Sequence, residues 1–136
     1  PDLGSFFSIN SEQFLSQFQV NVIGTHFLVA RLIKNFFRKE KVGKIVGILS
    51  KAIGDEHESP ATGMGAYVVA KAAFKSMLAV CAVEYPWLEV RTVSPSFTQT
   101  DMLKVFDTRY LEMISAQSKI SNPEDVAKLI IQEIIS

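Results

Sequence analysis

Apolar residues recur at helical spacing in two long segments of the chain. The first runs from Ser11 to about Arg38, and Asn10 and Gln13 at its start have the spacing of a capping box. The second runs from about Ala66 to Tyr85 and is apolar on most sides, which predicts a helix covered from more than one direction. Three residues interrupt the apolar surface of the first segment: Asn21, Gly24 and His26.

Two short runs rich in β-branched residues predict strands. The first, Lys44 to Leu49, is expected to be buried and covered on both faces, and the second is Glu89 to Val93. A helix of about 20 residues between them predicts a right-handed crossover and therefore parallel pairing. Further helical patterns cover residues 101–119, irregularly, and the segment that begins at Ser121. The pattern predicts an α/β fold: a partial, doubly wound parallel sheet of about two strands with flanking helices, in a single domain over residues 1–136.

Composition narrows the class of protein without naming a function. The chain has 136 residues, 48% hydrophobic and 21% charged, which is typical of a globular domain. Its formal net charge is zero, so charge gives no reason to expect a nucleic-acid or membrane partner. No apolar run reaches the length of a membrane span, and the single cysteine, Cys81, fits a reducing compartment. We therefore expect a cytoplasmic protein.

Candidate chemistry lies where the predicted strands end. Tyr67 and Lys71 are four residues apart and share one helix face, and a nearby ammonium favours the phenolate. Such a pair can exchange a proton with a carbonyl or alcohol oxygen. Ser50 ends the first strand, and the segment from Pro95 to Thr100 follows the second. Because ligands of doubly wound folds bind beyond the carboxyl ends of the strands, all of these residues can open onto one crevice.

Four motifs, in order, make the chain resemble the carboxyl-terminal part of a short-chain dehydrogenase/reductase. The segments that carry the resemblance are Val20-Asn21-Val22-Ile23-Gly24, Lys44 through Ser50, Tyr67 through Ala73, and Val90 through Thr100. The last departs from the family pattern, since Ser96 replaces a glycine. The spacing from Ser50 to Tyr67, 17 residues, also exceeds the roughly 13 usual in the family, and the acidic stretch Asp55 to Glu58 is expected to occupy the longer loop.

The resemblance implies a Rossmann-type fold and hydride transfer between NAD or NADP and a carbonyl/alcohol substrate. By the same resemblance Tyr67 is the general acid/base, Lys71 lowers its pKa and binds the nicotinamide ribose, and Ser50 orients the substrate carbonyl. Asn21 is expected to hold a water that relays protons to Lys71. Thr100 is expected to contact the nicotinamide carboxamide, with Pro95 lining the same side; Thr100 also fits a helix cap.

The family's glycine-rich, pyrophosphate-binding turn has no counterpart in this sequence. Thr62-Gly63-Met64-Gly65 contains glycines, but it follows a loop rather than a strand. The last strand of the family's sheet is likewise missing from the pattern. Two alternatives therefore stand beside the oxidoreductase. One is a non-catalytic fragment or subunit derived from the family, and the other is a sugar-nucleotide epimerase or dehydratase that uses the same Tyr/Lys pair.

Other features have plainer interpretations. His26 and His57 fit structural or solvated histidines, and we expect no metal site at the loop carboxylates Asp55 and Glu56. The apolar residues of 102–113, Met102, Leu103, Phe106 and Met113, fit either core or a lid over an apolar substrate. The resemblance also implies a homo-oligomer that packs through helices 11–38 and 66–85.

Overall fold

The computed structural model describes residues 3–98, 103–104, 106–117 and 120–136. Its α-helices are α1 (Ser11–Phe18), α2 (Gly24–Leu32), α3 (Arg38–Glu40), α4 (Gly65–Glu84), α5 (Thr108–Gln117) and α6 (Pro123–Ile135). Its strands are β1 (Gly43–Ile48) and β2 (Leu88–Val93), and short 3₁₀ helices occupy Phe6–Ser8 and Lys51–Ile53.

The first predicted helix forms one continuous helical segment that contains two π-helical stretches. These stretches, Gln19–Ile23 and Ile33–Phe37, separate α1, α2 and α3. The predicted capping box is confirmed, because Asn10 Oδ1 accepts from the Gln13 amide at 2.9 Å while Gln13 Oε1 accepts from the Asn10 amide at 3.0 Å. The segment ends at Lys41, whose φ of 50° takes the chain out of the helix.

The predicted parallel pairing is confirmed. β1 and β2 run side by side, with Ile45 opposite Val90, and α4 is the crossover between them. The pairing continues past the strands, because the Leu49 amide donates to the Val93 carbonyl at 2.8 Å. Helices lie on both faces of this two-stranded sheet, α4 on one and α6 on the other. The described residues thus form the partial doubly wound layer that the sequence predicts.

One face of the sheet packs on the long helices through apolar side chains. Val29 and Ile33 contact Leu88 there, and Phe74 and Leu78 of α4 contact Leu49. β1 approaches α4 so closely at Gly47 that an added Cβ would overlap the Leu78 side chain. The glycine is therefore required by packing, and this contact fixes the height of α4 above the sheet.

The opposite face is more polar than the sequence suggested. Lys44 pairs with Glu89 across the strands at 3.2 Å, and Arg91 reaches Glu133 of α6 at 3.1 Å. β1 is consequently half-buried rather than fully covered, and Ile48 at its carboxyl end is 45% exposed. The prediction of a strand buried on both faces is wrong in this respect, because α6 meets the sheet partly through charged side chains.

Helix α4 is covered from two directions, as predicted, by the sheet and by the first helical segment. Ala70, Phe74 and Leu78 are buried, but Val80 and Val83 are 54% and 80% exposed. By length and composition alone, α4 could cross a membrane. A helix that packs on a sheet can meet the same two criteria. The apolar composition therefore reflects packing on two sides together with exposed apolar side chains near the carboxyl end of the helix.

Candidate active site

Three predicted site residues meet at the carboxyl end of the sheet. Ser50 follows β1, Tyr67 lies in the first turn of α4, and Lys71 lies one turn further along. All three line one cleft of about 370 Å³, which we call the catalytic cleft, and Pro95 lines it from the end of β2. The crossover explains this convergence, because both strands end, and α4 begins, at the same edge of the sheet.

Tyr67 is half-buried and lines the catalytic cleft together with Ser50. Burial raises the pKa of Tyr67 above its ordinary value, and the Ser50 hydrogen bond acts against that rise. Ser50 Oγ also accepts from the Ala52 amide at 3.1 Å, which leaves its proton for Tyr67. At neutral pH the pair therefore rests as a protonated phenol beside a serine hydroxyl.

The pKa of Tyr67 is set here by burial and by Ser50, so a lowering of that pKa by Lys71 stays a prediction. The Lys71 ammonium donates to the Ile48 carbonyl at 3.0 Å and lies 5.9 Å from the centroid of the Tyr67 ring. Burial lowers the pKa of Lys71, since a charged amine is costly to desolvate. The spacing placed both groups on one face as predicted, but the lysine binds the end of β1 rather than the phenol.

Asn21 lies in the π-helical stretch Gln19–Ile23, which packs against α4. Its amide group donates to the Gln17 backbone carbonyl at 3.1 Å and to the Gln17 side chain at 3.2 Å. Gln17 and Tyr67 share the lining of a small pocket beside α1. Asn21 is thus on the Tyr67 side of the molecule, while its role as a water-mediated relay to Lys71 stays a prediction.

The segment after β2 forms a second wall of the catalytic cleft. Pro95, Ser96, Phe97 and Thr98 line it, and the Ser121 amide donates to the Phe97 carbonyl at 2.7 Å. That hydrogen bond brings the start of α6 over the cleft, where Val126 and Ile130 add an apolar wall. Thr100 lies outside the described residues, so its predicted contact with a carboxamide stays a prediction.

Sequence reasoning missed Met64 and the α6 residues as parts of the cleft. The apolar residues Val126 and Ile130 are four apart, a spacing that indicates a buried helix face. Nothing local in the sequence shows that this face turns back over β1. Met64 immediately precedes α4 and is 1% exposed, but a lone methionine in a glycine-rich loop carries no signal of its own.

The acidic loop has a structural explanation within its own backbone. Asp55 accepts from the amides of His57 and Glu58 at 2.7 and 2.9 Å, and these hydrogen bonds lower the pKa of its carboxyl group. Among the described residues, no group of three His, Cys, Asp or Glu side chains is placed to hold a metal ion.

A family model described as short chain dehydrogenase matches residues 2–110. The chain belongs to the short-chain dehydrogenase/reductase family. This confirms the family that the four sequence motifs indicated.

The relatives define how much of a family member is present. The chain is 35% identical over 102 residues to the 2,3-dihydro-2,3-dihydroxybenzoate dehydrogenase of Escherichia coli K12. This alignment covers 74% of the chain and 39% of that enzyme. A solved short chain dehydrogenase/reductase family protein is 27% identical with a TM-score of 0.78, over 97% of this chain and 54% of that one. The chain therefore spans about half or less of the length of these relatives.

A third similarity concerns the fold alone. The gluconate 5-dehydrogenase of Burkholderia cenocepacia, solved with NADP and tartrate, superimposes with a TM-score of 0.80 at 14% identity. The overlap covers 96% of this chain and 52% of that enzyme. The described elements of this short-chain dehydrogenase/reductase thus adopt the arrangement of the corresponding part of a Rossmann-type relative.

Proposed function

We propose that this chain carries the proton-transfer part of an NAD(P)-dependent carbonyl/alcohol oxidoreductase, with Tyr67 as the general acid/base. The observation that supports this most is the convergence of Ser50, Tyr67 and Lys71 on one cleft at the carboxyl ends of the strands. Two hydroxyls beside an apolar cleft can both bind a carbonyl oxygen. One of them can donate a proton while the other stabilises the charge that develops on that oxygen.

The resting protonation of the site favours carbonyl reduction. Burial keeps the Tyr67 phenol protonated at neutral pH, so it can donate to the oxygen as negative charge develops there. Ser50 can in turn supply a hydrogen bond to the same oxygen, because its lone pair already accepts from Ala52. Lys71, half-buried and bound to the Ile48 carbonyl, holds a positive charge at the edge of the site.

The residues present fit the nicotinamide end of the cofactor. Lys71 and Tyr67 place an ammonium and a hydroxyl at the edge of the cleft, where the hydroxyls of a ribose can bind, and Pro95 and Ile130 offer apolar surface to a ring. NAD or NADP bound there would supply the hydride. Neither β1 nor β2 is followed by a glycine-rich turn, so this chain's described residues offer no pyrophosphate cradle of the family type.

A second candidate function is a non-catalytic chain derived from the family. The two functions differ in a direct measurement. Titration of this chain with NADH and NADPH, followed by cofactor fluorescence, should show saturable binding if the proposed function is right. Absence of binding at millimolar cofactor would favour the non-catalytic role. Product analysis with simple ketones and with nucleotide sugars would separate a dehydrogenase from an epimerase or dehydratase.

The catalytic role of Tyr67 has a matched control in Tyr85, which packs against Trp87 away from the cleft with ring centroids 5.7 Å apart. Tyr67→Phe should lower kcat by about two to four orders of magnitude, the usual contribution of a positioned general acid. Tyr85→Phe should leave it unchanged. The role of Tyr67 would be refuted if both variants oxidised the cofactor and did so at equal rates.

We also propose that the chain forms a homo-oligomer through the helical segments 11–38 and 66–85. Large apolar side chains are exposed on both, including Phe36 at 67% and Val83 at 80%. Exposed apolar side chains of this size on two adjacent helices support packing against another helical surface. The absence of nucleic-acid and membrane partners, and the cytoplasmic location, stay predictions from composition.

A further inference from the structure

A second cleft of about 560 Å³ lies on the other side of the segment that precedes α4. Its walls are the chain near Gly4 and Phe6, the segment around Gly63 and Gly65, and Tyr110 of α5. The Gly4 amide donates to the Gly63 carbonyl at 3.0 Å, which joins two of these walls. The catalytic cleft and this second cleft therefore flank the same four-residue stretch, Thr62 to Gly65.

Met64 lies between the two clefts. Its side chain is 1% exposed and lines the catalytic cleft, whereas its neighbours in sequence, Gly63 and Gly65, line the second. Met64 belongs to a buried apolar cluster with Leu103 and Phe106, against which both Tyr67 and Tyr110 pack. Tyr67 lines the catalytic cleft and Tyr110 the second cleft, so the cluster that contains Met64 contacts a wall of each.

The backbone on either side of Met64 is held in place. Gly63 has a φ of +77°, a conformation that side chains disfavour, and a Cβ at Gly65 would come within 2.8 Å of Ile9. The Val68 amide donates to the Met64 carbonyl at 2.9 Å, which ties the residue to the first turn of α4. A change of side chain at Met64 should therefore alter the volume of the wall more than the path of the chain.

We propose that Met64 is a specificity-determining partition, which limits the length of an apolar substituent on the substrate's carbonyl carbon. The substrate class is a carbonyl compound with an unbranched apolar substituent, since Met64 and Phe97 provide apolar wall beside the Tyr67 and Ser50 hydroxyls. Shortening Met64 joins the two clefts and admits longer substituents. This inference rests on the proposed function for the identity of the carbonyl site, but it concerns binding rather than turnover.

The test measures binding of a homologous series of 2-alkanones to the full chain by isothermal titration or saturation-transfer NMR. With the unaltered chain, affinity should rise about two- to fourfold per methylene, as expected for apolar burial, and then stop rising at a cut-off length. Met64→Ala removes three heavy atoms, so the cut-off should move outward by about three methylene groups. Met64→Leu, which roughly preserves volume, should keep the original cut-off.

Leu78→Ala is the matched control. Leu78 is also 1% exposed but packs in a different cluster, between α4 and the sheet, so its truncation weakens the core without opening the wall. Circular dichroism would establish that each variant folds. The inference is overturned if the unaltered chain binds no alkanone, if Met64→Ala keeps the original cut-off, or if Leu78→Ala moves it equally. Cofactor oxidation is measured separately. If the chain shows no turnover while the cut-off length still depends on Met64, the result counts against the proposed function alone.

Discussion

Ser50→Ala tests the hydrogen bonding that holds the candidate site together. Ser50 Oγ accepts from the Ala52 amide at 3.1 Å and so caps the 3₁₀ helix Lys51–Ile53. The same hydroxyl acts on the Tyr67 phenol, whose pKa it lowers against the effect of burial. Alanine removes both interactions while leaving the backbone conformation accessible, since Ser50 has an extended φ of −157°.

The expected cost follows from the burial of these groups. Loss of a serine cap costs about 1 kcal/mol, and an amide left without an acceptor in a buried setting costs about 1–3 kcal/mol. Ala52 is 7% exposed, so water cannot fully replace the serine oxygen. We expect a fall of about 1–2 kcal/mol in the free energy of unfolding. For 136 residues this corresponds to a Tm lower by roughly 3–7 °C.

The substitution should also raise the pKa of Tyr67 further, because the Ser50 hydrogen bond is what lowers it against the effect of burial. Urea unfolding measures the stability, and ultraviolet tyrosinate absorbance, taken as the difference from Tyr67→Phe, measures the titration. Ser94→Ala is the control, since Ser94 is exposed beyond the end of β2, and its substitution should stay within about 0.5 kcal/mol of the original stability. The reasoning fails if the Ser50 and Ser94 variants unfold and titrate alike.

Three further predictions concern alkaline stability, core packing and assembly. Burial raises the pKa of Tyr67 above 10.0, so the folded chain keeps a proton that the unfolded chain loses, and stability should fall as pH rises above about 10. Urea unfolding should show a smaller alkaline loss for Tyr67→Phe, and an unchanged loss would contradict this. Gly47→Ala should lower the free energy of unfolding by about 1–3 kcal/mol through overlap with Leu78. The loss should be clearly smaller when Leu78 is already alanine, and an equal loss in the two backgrounds would exclude this contact as the cause. Val83→Glu or Phe36→Glu should dissociate the oligomer in size-exclusion chromatography with light scattering, whereas a monomeric parent chain would refute the proposed interface.

The elements that the sequence predicts well are those set by local patterns. β1 was predicted from residue 44 to 49 and lies at Gly43–Ile48, and the helix predicted over 66–85 lies at Gly65–Glu84. Apolar periodicity, β-branched runs and a terminating proline act within a few residues of each other, so they can be recognised in one dimension. The capping box at Asn10 is recognisable for the same reason, since both of its hydrogen bonds join residues three apart.

What the sequence could not provide depends on tertiary packing. The spacing of Tyr67 and Lys71 predicts a lowered pKa for the phenol, but it shows neither the burial that raises this pKa nor the hydrogen bond from Lys71 to the Ile48 carbonyl. Spacing determines which residues share a face, but not which acceptor a long flexible side chain chooses. Likewise the return of α6 over the cleft depends on contacts distant in sequence, such as those between Ser121 and Phe97 and between Arg91 and Glu133.

Burial acts on the two titratable members of the candidate site in a coordinated way. It raises the pKa of Tyr67 and lowers that of Lys71, so it favours the neutral form of each. A neutral phenol is ready to donate a proton, which suits reduction, whereas oxidation of an alcohol requires the phenolate. Movement of the Lys71 ammonium from the Ile48 carbonyl towards the phenol would stabilise that phenolate by Coulomb attraction in a poorly hydrated site. Whether the site favours reduction or oxidation should therefore depend on which oxygen Lys71 binds. The Ile48 carbonyl competes with the phenol for the Lys71 ammonium, so it belongs to the chemistry of the site.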